Sequence, residues 1–142
     1  KAKLSFIFLD LNHLSDYTKR IYPPLYRILK NHLPGPYTFI LPASKQVPKI
    51  LKSKKDTIGL RIPNNIICGE ILETLGNPLL SASLPGETAE EYTDPEIIYE
   101  KFGKLVDYVI DGGPGGVVPS TVVDCTTDDW TVIRQGLGEW KG

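Results

Sequence analysis

A chain of 142 residues is long enough to build one domain, spanning residues 1–142, around its own hydrophobic core. Its net charge of −1 argues against strong non-specific binding to nucleic acid. No apolar run approaches the roughly 20 residues that span a bilayer, and no signal peptide is recognisable, so we expect a cytoplasmic protein with no membrane partner. Cys68 and Cys125 lack metal-type spacing, which predicts two buried free thiols in a reducing compartment.

The chain begins at Lys1 and contains no methionine. A complete translation product needs an initiator methionine. We therefore expect either a fragment of a longer protein or a sequence from which selenomethionines have been dropped. Under both alternatives, function can depend on residues outside this sequence.

Apolar periodicity predicts the elements of the first half of the chain. Short β-branched and aromatic runs are typical of buried strands, whereas apolar residues three or four apart are typical of helices. On these signals we predict, in chain order, a strand at Ser5–Leu9, a short helix, a helix beginning at Pro23, a strand at Tyr37–Leu41, and a short helix near Val47–Leu51.

The second half continues the alternation and then closes with strands. We predict, in order, a strand at Thr57–Ile62, a helix at Ile66–Leu75 ended by Gly76, a strand at Leu79–Ser83, a helix capped by Asp94 with Pro95 in its first turn, a strand at Val106–Ile110, and two closing strands from Ser120 and from Trp130. This order predicts an α/β fold whose sheet has mixed strand directions.

A glycine-rich loop, GGPGGVVP at residues 112–119, leads into the first closing strand. Such a loop exposes backbone N–H groups and brings the hydroxyls of Ser120 and Thr121 to a strand end, while Arg134 ends the next strand. Amides, hydroxyls and a cation together suit an anionic ligand such as a phosphate or carboxylate. The alternative is a plain hairpin with a glycine-rich lead-in and no ligand. Taken alone, the loop favours this alternative.

Other polar residues interrupt apolar strands. Arg61 stands in an apolar run, where a buried guanidinium needs an anionic partner, although an exposed strand face would also accept it. Thr57 lies four residues earlier and so shares its face. Ser81 and Ser83 also share a face at a strand end, a common place for ligands in α/β sheets, and they suit tight packing equally well.

These segments together resemble the YrdC/Sua5 family, and within it the YciO-like branch, without the family's N-terminal part. The matching blocks stand in the family's order, at Pro34–Leu41, Thr57–Pro63, Asn77–Ser83, Asp111–Asp124 and Val132–Gly136. The resemblance implies a YrdC-like twisted mixed sheet with flanking helices and a concave, positively charged cleft.

The resemblance also implies an activity, that of an L-threonylcarbamoyladenylate synthase. Such a nucleotidyltransferase uses L-threonine, bicarbonate and ATP with Mg²⁺, has no tightly bound cofactor, and supplies the N6-threonylcarbamoyl modification of adenosine 37 in tRNA. Its partners would then include tRNA and other proteins of that pathway.

The resemblance also implies which residues form the site, and it implies neither a catalytic nucleophile nor a metal ligand among them. Arg61, Ser81 and Ser120 would bind L-threonine, with Arg61 holding the carboxylate. Thr57, Ser83, Thr93 and Arg134 would line the ATP site. Two features depart from the family pattern: its Lys-Arg-rich motif would lie upstream of Lys1, and its Ser-Ala-Asn signature reads Ser81-Ala82-Ser83.

A second interpretation is a YrdC-like domain that binds a nucleotide or RNA, including double-stranded RNA, without this chemistry or with a different one. Five lysines between Lys45 and Lys55 would favour it if they flanked the cleft. A solvated surface helix and turn is the simpler explanation of that run. We prefer the enzyme to the binding module.

Overall fold

A computed structural model describes residues 4–142. The described chain divides into two compact units. The first contains the residues up to Ala82 together with Ser120–Gly142, and the second is Ser83–Pro119. Within the described residues, no helix is both long and apolar enough to cross a membrane.

The first unit contains a six-stranded sheet. Its strands are β1 (Leu4–Ile7), β2 (Tyr37–Pro42), β3 (Thr57–Arg61), β4 (Leu79–Ala82), β5 (Thr121–Asp124) and β6 (Thr131–Arg134). They lie in the order β4-β1-β3-β2-β5-β6. The β1–β3 and β2–β5 pairs are parallel, and the other neighbouring pairs are antiparallel. The predicted α/β fold with a mixed sheet is confirmed.

Helices α1 (Pro23–His32) and α2 (Ile66–Leu75) belong to the first unit, and α3 (Ala89–Thr93) and α4 (Pro95–Phe102) to the second. The predicted helix ends are confirmed, because Gly76 adopts a left-handed φ of 83° and Asp94 accepts a hydrogen bond from the Glu96 N–H. Helix α3 was not predicted. Short 3₁₀ turns at Leu14–Asp16 and Lys49–Leu51 replace the two predicted short helices.

The predicted strand at Val106–Ile110 is wrong. These residues form no strand, and Tyr108 in their middle is 88% exposed. Strand propensity reflects packing against neighbouring strands more than an intrinsic backbone preference. The second unit contains no described strand with which this segment could pair.

The two faces of the sheet differ in burial. Phe6, Leu60, Phe39 and Val123 are aligned across β1, β3, β2 and β5, and all are buried in the core. The apolar side of α1 packs into the same core. The opposite face carries Ser5, Gly59, Ile40 and Asp124 in register, and these residues are only half-buried. We call this opposite face the open face.

Candidate functional site

The three residues expected to bind threonine share the open face. Ser81 lies opposite Ser5, and Arg61 follows Gly59 by two residues on β3. Ser120 precedes β5, and its hydroxyl shares a 2.8 Å hydrogen bond with the Thr38 hydroxyl on β2. Neighbouring strands are about 4.8 Å apart, so Arg61 stands midway, roughly 10 Å from each serine. Their roles in binding remain predictions.

Arg61 is the unsatisfied group of this face. Its buried Nε–H has no hydrogen-bond partner among the described residues, and neither described salt bridge involves it. Burial lowers the pKa of Arg61, nearby Cys68 opposes this shift, and the positive charge of Arg134 lowers the pKa further. A guanidinium that is desolvated and repelled by a second guanidinium is stabilised by an anion bound next to it.

Gly59 lies two residues before Arg61 at a crowded position of β3. A Cβ built on Gly59 would lie 2.8 Å from the Ser5 Oγ and 3.4 Å from the Thr38 Cγ2. No side chain fits there without movement of its neighbours. Glycine therefore allows Ser5 and Thr38 to pack closely on either side of β3. Gly59 was not among the predicted site residues, because the closeness of Ser5 depends on strand pairing.

Arg134 holds Ser120 in place. Its Nε and Nη2 donate to the Ser120 carbonyl oxygen at 3.0 and 2.8 Å, and Nη2 also donates to the Ser120 Oγ at 3.1 Å. The planar fork of this guanidinium, at the end of β6, is thus already matched by a partner inside the protein. Its predicted contact with an anionic ligand stays a prediction.

The expectation that Thr121 faces the ligand is also wrong. Successive side chains on a strand point to opposite faces, so Thr121 points into the core when Ser120 points to the open face. Thr121 is fully buried, donates to the Gly138 carbonyl at 2.6 Å and accepts from the Gly136 N–H at 3.0 Å. Its hydroxyl fastens the C-terminal segment to β5.

Two other predicted residues have hydroxyls with partners inside the first unit. Thr57, two residues before Gly59 and on the open face, shares a 2.7 Å hydrogen bond with the Ser53 hydroxyl. The Ser81 hydroxyl donates to the Ser5 carbonyl at 3.2 Å. Hydroxyl groups can exchange or share such partners with a ligand, so these contacts are compatible with both predicted roles.

The second unit contains the remaining predicted residues. Gly113 has a φ of 88°, which confirms the expected left-handed residue in the glycine-rich loop. The loop is fastened to the end of α3 by a 2.9 Å hydrogen bond from the Gly115 N–H to the Thr93 carbonyl. The Thr93 hydroxyl donates to the Ala89 carbonyl in its own helix, and Ser83 is exposed.

No set of three His, Cys, Asp or Glu side chains comes together as a metal site within residues 4–142. Both cysteines are free, as predicted, but only Cys125 is buried, and Cys68 is half-buried. Burial and the neighbouring carboxylate of Asp124 raise the pKa of the Cys125 thiol to about 12. The described chemistry of the site thus consists of cations and hydroxyls.

Comparison with known proteins places this chain in a family. A family model, Sua5_yciO_yrdC, described as telomere recombination, matches residues 1–136. Escherichia coli YciO is 45% identical over 135 residues, covering 93% of this chain and 65% of that protein. The E. coli YciO crystal structure matches with a TM-score of 0.87 and 39% identity, covering 96% of this chain and 67% of that one.

Synthases match at lower identity. A Pyrococcus abyssi threonylcarbamoyl-AMP synthase is 31% identical over 112 residues, covering 77% of this chain and 32% of that protein. A crystal structure of P. abyssi Sua5 complexed with L-threonine matches with a TM-score of 0.78 and 27% identity, covering 94% of this chain and 40% of that one. The present chain spans only 65% of the length of E. coli YciO. The family match over residues 1–136, together with the shared fold, shows that the chain belongs to the Sua5/YciO/YrdC family.

Proposed function

We propose that the full-length protein is a threonylcarbamoyl-AMP synthase that binds L-threonine through its carboxylate on the open face. The observation that carries this proposal is the buried Nε–H of Arg61, which has no partner among the described residues. A guanidinium fork binds a carboxylate through two parallel hydrogen bonds.

The proposed chemistry needs positioning more than a protein nucleophile. The amine of threonine adds to bicarbonate with loss of water and forms a carbamate. A carbamate oxygen then attacks the α-phosphorus of ATP, and pyrophosphate leaves. Arg61, Ser81 and Ser120 would hold the amino acid, while Mg²⁺ would accompany the phosphates of ATP.

In the first unit, Thr57 and Arg134 would bind the nucleotide. The same role for Ser83 and Thr93, which belong to the second unit, stays a prediction from the resemblance. A positive charge at Arg134 suits a phosphate even though its Nε and Nη2 already bind Ser120. The product would supply threonylcarbamoyl groups for adenosine 37 of tRNA in the cytoplasm. Ser83 is shorter than the asparagine usual at its position, so we expect binding of ATP to survive better than turnover.

Isothermal titration of the full-length protein with L-threonine and with ATP tests the proposal. The Arg61→Ala variant should bind L-threonine about ten- to a hundredfold more weakly, because it loses a charge-assisted hydrogen bond. The matched control is Arg27→Ala, which removes an exposed arginine of α1 and should leave the affinity for L-threonine unchanged.

A pyrophosphate-release assay completes the test. Release that requires both L-threonine and bicarbonate supports the synthase. Binding of ATP without such release would reject the synthase and leave a nucleotide-binding module. No binding of L-threonine, or equal binding by Arg61→Ala, would reject the carboxylate site.

A further inference from the structure

Thr38 lies at the centre of the open face and has no part in the site described above except its contact with Ser120. Extending the antiparallel register of β2 and β3 by one residue places Thr38 opposite Arg61, and on its other side Thr38 lies opposite Val122 of β5. Its side chain is 8% exposed, and its hydroxyl shares a 2.8 Å hydrogen bond with the Ser120 hydroxyl.

Ser120 thus receives contacts from two directions. The Arg134 Nη2 donates to the Ser120 Oγ at 3.1 Å, while Thr38 shares the second hydrogen bond with the same oxygen. When Thr38 is the donor, both lone pairs of the Ser120 oxygen are occupied, and its own proton is the only group left for a ligand. When Ser120 is the donor, its proton is used in the bond to Thr38. The groups left for a ligand are then the Thr38 proton and one lone pair of the Ser120 oxygen.

The charge of the ligand decides between these two arrangements. An anion held by Arg61 needs donors around it, and it is repelled by an exposed lone pair. With Thr38 as the donor, Ser120 offers such an anion its proton, and both lone pairs of its oxygen are occupied. A neutral ligand, or one that donates a hydrogen bond, gains nothing from this arrangement.

We propose that Thr38 is a positioning residue that makes Ser120 a hydrogen-bond donor and thereby tunes the open face for a carboxylate. This inference rests on the proposed binding of L-threonine, and it adds a residue that acts only through Ser120. Arg134 supplies the other half of the arrangement by holding the Ser120 backbone and one lone pair.

The test uses the full-length protein and titrations with L-threonine and with ATP. Thr38→Val has nearly the same shape without the hydroxyl, and it should weaken L-threonine binding roughly three- to tenfold, the loss expected for one hydrogen bond. The affinity of Thr38→Val for ATP should change by less than about twofold, because the Arg134 contacts with the Ser120 carbonyl remain. Thr38→Ser restores the hydroxyl and should restore L-threonine binding.

A double-mutant cycle separates positioning from a structural role. If Thr38 acts through Ser120, Thr38→Val should add nothing once Ser120→Ala is present. Additive losses, equal losses of L-threonine and ATP, or failure of Thr38→Ser to rescue would overturn the inference. If Thr38→Val does not fold, Thr38→Cys offers similar volume with a weaker donor, and its affinity should lie between wild type and Ser120→Ala. Absence of L-threonine binding by the wild type would instead reject the proposed function.

Discussion

Replacing Arg134 separates two roles of one side chain. Arg134→Ala removes both the positive charge and the three hydrogen bonds to Ser120. Arg134→Lys keeps the charge, but a single ammonium group cannot reproduce the planar fork that reaches both the carbonyl and the hydroxyl of Ser120. The two variants therefore differ in charge and share the loss of the fork.

The size of the effect follows from the contacts. Arg134 is exposed, so solvent competes for its hydrogen bonds, and the three together contribute about 1–2 kcal/mol. The ligand must then position Ser120 itself at a cost of at most this free energy, so both variants should bind L-threonine more weakly, by up to roughly five- to thirtyfold. Loss of the charge should weaken ATP binding in Arg134→Ala, whereas Arg134→Lys should keep most of it.

Titrations of the full-length variants with each ligand provide the assay, alongside thermal denaturation and the Arg27→Ala control. Normal L-threonine affinity in Arg134→Lys would show that charge, and not the fork on Ser120, matters for that ligand. Normal L-threonine affinity in both variants would refute the argument that a fixed Ser120 contributes to binding.

Four further predictions concern glycines and cysteines. Gly59→Ala should lower the melting temperature and weaken L-threonine binding, because its Cβ would lie 2.8 Å from the Ser5 hydroxyl and would displace Ser5 or Thr38; unchanged binding would show that the packing around Gly59 does not affect the site. Gly113→Val should cost about 1–3 kcal/mol in denaturant unfolding through its positive φ, whereas Gly116→Val, which has open space and no positive φ, should cost less. Iodoacetamide at pH 8 should modify Cys68 before Cys125, since burial raises the pKa of the Cys125 thiol to about 12 and keeps it protonated. The same raised pKa links Cys125 to the pH dependence of stability. Its contribution to the free energy of unfolding should be complete below the ordinary thiol pKa of about 9 and should be lost as the pH rises towards 12, which urea unfolding at several pH values measures. A Cys125→Ser variant whose stability falls just as much over this pH range would contradict the prediction.

Local signals in the sequence determined helices α1, α2 and α4 and most strands. The bounds of α2, its glycine cap and the Asp94 cap of α4 depend on a few neighbouring residues, so they were predictable. Alternation likewise indicated that Thr57 and Arg61 share a face. The family blocks added which residues to consider as ligands.

Tertiary structure decided how those residues are used. The pairing of β2 with β3 and of β5 with β6 brings Thr38 opposite Arg61 and Arg134 onto Ser120, and no local pattern encodes such partners. For the same reason, the apolar segment at Val106–Ile110 was mistaken for a strand, since a strand exists only where another backbone pairs with it. The sequence by itself determined the chemical groups and the local elements, whereas strand pairing decided which hydroxyls are satisfied by the protein and which guanidinium nitrogen has no partner among the described residues.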